Sequence, residues 1–268
     1  MTDPLTTTYR GDLRSDEGTG RFYHWGDEAF ISVTNAIKKG FPAPALMYWS
    51  AKMVAEYVAE NPEEVEAMRQ AMEPAEFTSF LKNKPWVARD KAGDLGSQVH
   101  DIAEQYQATG TVPPLESFPE VVQAKAALYL DFLETVKPTF YAIEGVVFNR
   151  QYGYAGAFDA IMDIDYGAIK GRYIVDIKTG SGIYAEAALQ QTAYRHGEYI
   201  AVGDQEIPMP EVGGAFCLHI QATQWKLVPV VTDEASWVTF RAALHVARWV
   251  ADGSDKAAVG KPVAIGRR

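Results

Sequence analysis

Near residue 139 the hydrophobic period of this chain changes, and that change limits the folds open to it. Before it, apolar residues recur at helical spacing; after it they alternate. Residues 28–60 read as helical, with Ser32 and Thr34 as caps before NAIKKG. Within them, ALMYWSAKMVAEYVAE puts Leu46, Trp49, Met53, Val54 and Val58 at helical positions. PEEVEAMRQAM and AEFTSFLKN read as two short helices, followed by KNKPWVARDK as a solvated loop or a phosphate contact. Asp94 is placed to cap LGSQVHDIAEQYQ, with Leu95, Val99, Ile102 and Tyr106 as its core face and Gly110 at its end. EVVQAKAALYLDFLETV is a further helix, stopped by Pro138. TFYAIEGVVFNR, GYAGAFDAIMDID and GRYIVDIK then read as three successive strands, the last two joined through YGAIKG. IYAEAALQQTAYRHGEYIAV is a helix, AFCLHIQA and QWKLVPVV a hairpin, and EASWVTFRAALHVARWVAD a final helix.

This order predicts an α/β fold: a central mixed β-sheet flanked by helices, with an N-terminal helical elaboration. Residues 1–27 are expected as a flexible arm and 253–268 as a mobile tail. Between them, 28–252 form one domain, mainly helical over 28–138 and a sheet core with an inserted helix over 139–252.

The chain has 268 residues, of which 47% are hydrophobic and 22% charged, an ordinary globular composition. Its single cysteine, Cys217, excludes an internal disulfide and the four thiolates of an iron–sulfur cluster or a structural zinc. A reducing cytoplasm is the expected compartment. The N-terminus lacks the layout of a secretory signal, and no apolar run approaches the roughly 20 residues that span a bilayer. A net charge of −10 argues against a broad basic coat for nucleic acid. It leaves room for a local basic groove.

One short segment concentrates chemistry. In GRYIVDIK, side chains alternate, so Asp176 and Lys178 share a face with Ile174 while Val175 and Ile177 face a helix layer. On the preceding strand Asp159 shares a face with Ile161 and Asp163, and a hairpin brings Asp159 beside Asp176. Two carboxylates and a lysine on adjacent strands suit phosphodiester hydrolysis with a divalent metal. Asp159, Asp176 and the Ile177 carbonyl would offer hard oxygen ligands to Mg²⁺ or Mn²⁺. Lys178, kept protonated by its neighbours, would stabilise charge building on the phosphate. The competing explanation is an edge strand carrying solvated charge. Helical spacing also sets Gly96, His100 and Glu104 four apart on one face, opposite the apolar stripe, and Gln190 and Tyr194 four apart on another helix. The latter pair is either a site motif or a satisfied buried polar pair.

Taken in order, G-x-x-x-H at Gly96–His100, Glu144 in a strand, G-x-x-D ending at Asp159, D-I-K-T-G from Asp176, and Q-x-x-x-Y at Gln190–Tyr194 resemble the RecB-like branch of the PD-(D/E)XK nuclease superfamily. The likeness is to phage-type exonucleases related to the CRISPR-associated RecB-like nucleases, and its motifs cover about residues 94–200. FISVTNAIKKGFPAPALMYWSAKMVAEY extends it N-terminally to phage members. The resemblance implies a restriction-endonuclease-like core, His100, Asp159 and Asp176 at the metal, and Lys178 as catalytic lysine. It puts Gln190, Tyr194 and Thr179 against the substrate, with Glu144 and Glu104 as supporting carboxylates. The implied activity is a metal-dependent DNA exonuclease of phage or prophage recombination or replication, working in the bacterial host cytoplasm. DNA is then the partner, with a homo-oligomer or a phage recombination protein left open. Phe158 stands where the family's nominal proline would be, and the iron–sulfur cysteines of many CRISPR-associated relatives are missing. A structure-specific endonuclease on the same fold, or a catalytically silent DNA- or protein-binding member, are the alternatives.

Overall fold

A computed structural model describes residues 7, 12–17 and 20–263. Among them the strands are β1 (Arg14–Glu17), β2 (Gly20–Trp25), β3 (Glu28–Ser32), β4 (Thr139–Ile143), β5 (Val146–Asn149) and β6 (Tyr154–Ala157). They continue as β7 (Ala160–Tyr166), β8 (Ile169–Lys178), β9 (Tyr199–Val202), β10 (Gln205–Pro208), β11 (Ala215–Ile220) and β12 (Trp225–Val230). The helices are α1 (Val33–Gly40), α2 (Pro44–Glu60), α3 (Pro62–Ala71), α4 (Pro74–Thr109), α5 (Glu120–Val136), α6 (Ala185–Arg195), α7 (Glu234–Ala251) and α8 (Ser254–Ala257).

The protein is a mixed α/β structure with a helical N-terminal part, and its strands divide between two mixed sheets flanked by helices. One runs β12-β11-β8-β7-β4 and the other β1-β2-β3-β6-β5-β9-β10. In the first, β8 pairs antiparallel with β7 and parallel with β11. β8 is therefore an inner strand, which removes the solvated-edge explanation of its charges. Its Val175 and Ile177 pack with Val99 and Ile102 of α4 and Val122, Tyr129 and Phe132 of α5. Ile174 on the opposite face joins Leu189 and Tyr194 of α6 and Trp237 and Phe240 of α7.

Twice, between β4 and β5 and between β6 and β7, the chain passes from one sheet to the other within two residues. The expected strand TFYAIEGVVFNR breaks at Glu144, whose φ of 49° lies in the left-handed region that non-glycine residues avoid. GYAGAFDAIMDID breaks at Phe158–Asp159. The Glu144 N–H donates to the Asp159 carbonyl at 2.8 Å and the Phe158 N–H to the Gly145 carbonyl at 2.9 Å, so the crossings are stitched together.

Several expectations are corrected. Residues 14–17 and 20–32 hold β1, β2 and β3 in place of an arm and the start of a helix. FYHW and EAFIS pair antiparallel across a Gly26–Asp27 turn, and β3 joins the sheet beside β6. The rest of the proposed arm, 1–6, 8–11 and 18–19, lies outside the described residues, as does 264–268 of the tail. Ser32 does cap α1, accepting from the Asn35 N–H at 3.1 Å. The two stretches AEFTSFLKN and LGSQVHDIAEQYQ are one 36-residue helix running through Pro85, with Asp94 inside it rather than capping it. A mid-helix proline costs about 3 kcal/mol, a cost that continuous helix on both sides and favourable residues such as Leu81, Lys82 and Ala88 offset. The helix read through residue 202 stops at Arg195, and Tyr199–Val202 pairs with β5 and β10 instead.

The α1 helix lies against α7 with almost no gap. A Cβ on Gly40 would sit 2.1 Å from the Ala243 carbonyl oxygen and 2.4 Å from its Cα. Both neighbours are backbone and cannot rotate away. Gly40→Ala is expected to cost at least about 3 kcal/mol, the upper end for overpacking. That is a fall of about 6–12 °C in melting temperature for a chain of this size. A calorimetric scan matching the parent protein would contradict the close approach.

Candidate functional site

The crossings between the sheets assemble the site. Glu144 at the first and Asp159 at the second meet His100, which α4 carries over the strand ends. One ligand atom from each of His100, Glu144 and Asp159 lies within 4.8 Å of the others. Among the described residues this is the group of metal-ligating side chains that converges. Asp159 Oδ2 accepts the Ile177 N–H at 2.7 Å and lies 3.6 Å from His100 Nδ1. Ile177 thus meets Asp159 through its N–H. Glu144 and Asp159 are buried, and a buried carboxylate persists as an anion only when charges or donors surround it.

Beside this group, Asp176 Oδ2 lies 2.6 Å from Lys178 Nζ. Lys178 donates to Gln190 Oε1 at 3.2 Å, and Gln190 Nε2 donates to the Tyr194 hydroxyl at 2.7 Å. The chain Asp176–Lys178–Gln190–Tyr194 therefore links the strand to α6. Gly156 makes room for the Tyr194 ring, since a Cβ there would lie 2.5 Å from Tyr194 Cε1. That ring is 1% exposed, so Tyr194 cannot stack on a base. It orients Gln190, and the pair combines the two expected roles: Tyr194 is a buried, satisfied partner while Gln190 reaches the site.

Electrostatics follow from this crowding. Burial opposes the charged form of His100, but the Asp159, Glu144 and Asp176 carboxylates outweigh it and raise its pKa to about 9. Burial likewise opposes the Asp159 anion, yet the His100 and Lys178 charges and the Ile177 N–H hold its pKa below the usual range. For Asp176 burial prevails, with the neighbouring Asp159 charge adding to it and Lys178 opposing, and its pKa rises to about 6. Burial disfavours the Lys178 ammonium, but the two aspartates raise its pKa above the ordinary lysine value.

The site lies in a cleft of about 650 Å³. His100, Asp159, Asp176, Lys178, Thr179, Gln190 and Tyr194 line it, as do Arg14, Arg21 and Arg89, the first two paired with Asp16 and the third with Asp90. Gly96 permits the close pass of α4 over the end of β8, because a Cβ there would stand 2.9 Å from Thr179 Oγ1. Glu104, half-buried, is one helical turn beyond His100 and outside the converging group. Sequence reasoning passed over Arg14 and Arg21, which lie in the segment taken for a loose arm. The Gly26–Asp27 turn pair between the apolar-rich runs FYHW and EAFIS was the signal available.

No protein-family model matches this chain, and no curated protein matches it. Among the described residues no helix is long and apolar enough to cross a membrane.

Proposed function

We propose that the protein is a Mg²⁺- or Mn²⁺-dependent DNA exonuclease of the RecB-like PD-(D/E)XK type, serving phage or prophage recombination or replication in the bacterial host cytoplasm. The supporting observation is the meeting of His100, Glu144 and Asp159 next to the Asp176–Lys178 pair, with His100, Asp159, Asp176 and Lys178 lining a cleft that Arg14, Arg21 and Arg89 also line. The donor set fits the ion: carboxylate oxygens suit Mg²⁺ and Mn²⁺, and one imidazole is readily accepted by Mn²⁺. The negative field that raises the His100 pKa is also the field that attracts a divalent cation. Bound there, the ion supplies a Lewis acid for the phosphate and a water of lowered pKa.

The chain's own groups carry the remaining tasks. Lys178, fixed between Asp176 and Gln190, presents its ammonium to the charge that develops on the phosphate. Arg14, Arg21 and Arg89 bind the phosphodiester backbone by exchanging their carboxylate partners, Asp16 and Asp90, for phosphate oxygens. A local basic rim on a chain of net charge −10 grips a short stretch of strand without coating long DNA.

A digestion series tests this. Linear DNA should be degraded with Mg²⁺ or Mn²⁺, and EDTA should abolish the reaction. Undiminished cleavage in EDTA would sink the metal mechanism, and failure on every linear substrate would sink the nuclease assignment. Efficient cutting of covalently closed circles would turn it into an endonuclease.

A further inference from the structure

The helix α2 carries an apolar stripe that the fold does not bury. None of its described side chains is buried, and Leu46 is 42% exposed. Its N-terminal end forms one wall of a second groove, of about 540 Å³, in which Phe41, Leu46 and Trp49 face Ser181, Tyr184 and Arg89. Tyr184 is 63% exposed. Exposed apolar surface of this kind marks a binding face more often than an accident of folding.

Its position says what it binds. Arg89 lines both the groove and the catalytic cleft. The segment leaving β8 lines both as well: Thr179 and Gly180 face the cleft, Ser181 and Tyr184 the groove. A chain leaving the cleft past Arg89 therefore enters a slot walled by aromatic and aliphatic side chains. We propose that this groove holds the unpaired bases of the nucleic-acid strand whose phosphodiester lies in the cleft, so that the substrate is a single strand or a frayed end. The proposal rests on the nuclease assignment above and narrows its substrate.

The physical reason is the matching of surfaces. A duplex turns its base faces inward and offers phosphates and groove edges, which an apolar wall does not recognise. An unpaired base exposes two apolar faces, and aromatic side chains stack on them irrespective of sequence. Arg89, whose guanidinium lies 4.7 Å from the Trp86 ring centroid and donates to Asp90, exchanges that exposed partner for a phosphate at the boundary. Glu186, which also lines the groove, repels phosphate and so turns the sugar–phosphate backbone to the Arg89 side with the bases inward. A groove of this volume is on the scale of a drug-sized molecule, about one or two bases.

The experiment measures binding by fluorescence anisotropy in EDTA, where nothing is cut. A labelled oligothymidylate and a labelled blunt duplex are titrated with the parent protein, Tyr184→Ala and Leu46→Glu. Both positions are exposed, so both variants should fold. Each should bind oligothymidylate about tenfold more weakly or worse, from lost stacking or an added repulsive charge, while duplex binding changes by less than about twofold. No oligothymidylate binding by the parent, unaltered binding by both variants, or an equal loss on duplex would overturn the proposal. So would a change in sedimentation alone, which would make the groove a contact between copies of the chain. Digestion of the same oligothymidylate with Mn²⁺ separates the two assignments. Cleavage by the parent with unaltered variant binding would remove the groove and keep the nuclease. Weakened variant binding without cleavage would remove the nuclease and keep the groove.

Discussion

Lys178→Met is expected to lower the rate of DNA hydrolysis about a hundredfold or more while Mn²⁺ binds as well as before, or more tightly. Methionine keeps an unbranched stem in the space the lysine occupies and removes the ammonium, its charge and its donor to Gln190. The ammonium lies 2.6 Å from Asp176 Oδ2 and 3.2 Å from Gln190 Oε1, so it is fixed rather than sweeping through solvent. A fixed donor aimed at developing charge is worth about 10²–10³ in rate. The metal term has the opposite sign. Removing a cation beside His100, Glu144 and Asp159 takes away repulsion towards a second cation, so affinity does not fall. Calorimetry with Mn²⁺ and single-turnover cleavage on one preparation check both halves. A parental rate in the folded variant would strip Lys178 of its role. Loss of both metal binding and rate would show that it acts by holding the site together.

The parts of this fold legible in the sequence were those decided by local pattern. The alternation of GRYIVDIK placed Val175 and Ile177 against helices, and the structure puts them against α4 and α5. The turn at Gly167, with φ of 58°, joins β7 to β8 where the YGAIKG stretch placed a hairpin. What stayed hidden depended on partners distant in the chain. Nothing local in TFYAIEGVVFNR announces a break at Glu144. It exists because β4 pairs with β7 in one sheet while β5 pairs with β6 in the other. The same break moved Glu144 from a supporting position into the converging group. KNKPWVARDK, expected as a solvated loop or a phosphate contact, lies instead inside a helix that runs unbroken over residues 74–109. Arg14 was invisible because RSDE has no apolar period, and β1 is held by its pairing with β2.

Asp159→Asn should produce the other extreme, losing metal and rate together. Its Oδ2 both accepts the Ile177 N–H and faces His100. An asparagine keeps an acceptor oxygen for that N–H, so the strand crossing at Phe158–Asp159 retains its tie and the protein folds. What goes is the anion that two other donors converge upon. Outer partners of a metal ligand are worth about 10–100-fold in affinity, and a direct ligand should cost at least the upper figure. Catalysis should fall in parallel, since the Lewis acid and its water depend on the ion. The contrast with Lys178→Met is therefore in the calorimeter: one variant binds Mn²⁺ and turns over slowly, the other does neither. If Asp159→Asn bound Mn²⁺ with parental affinity, the ion would have to sit elsewhere. The His100–Glu144–Asp159 group would then be a buried charge network that shapes the sheet junction and holds no metal.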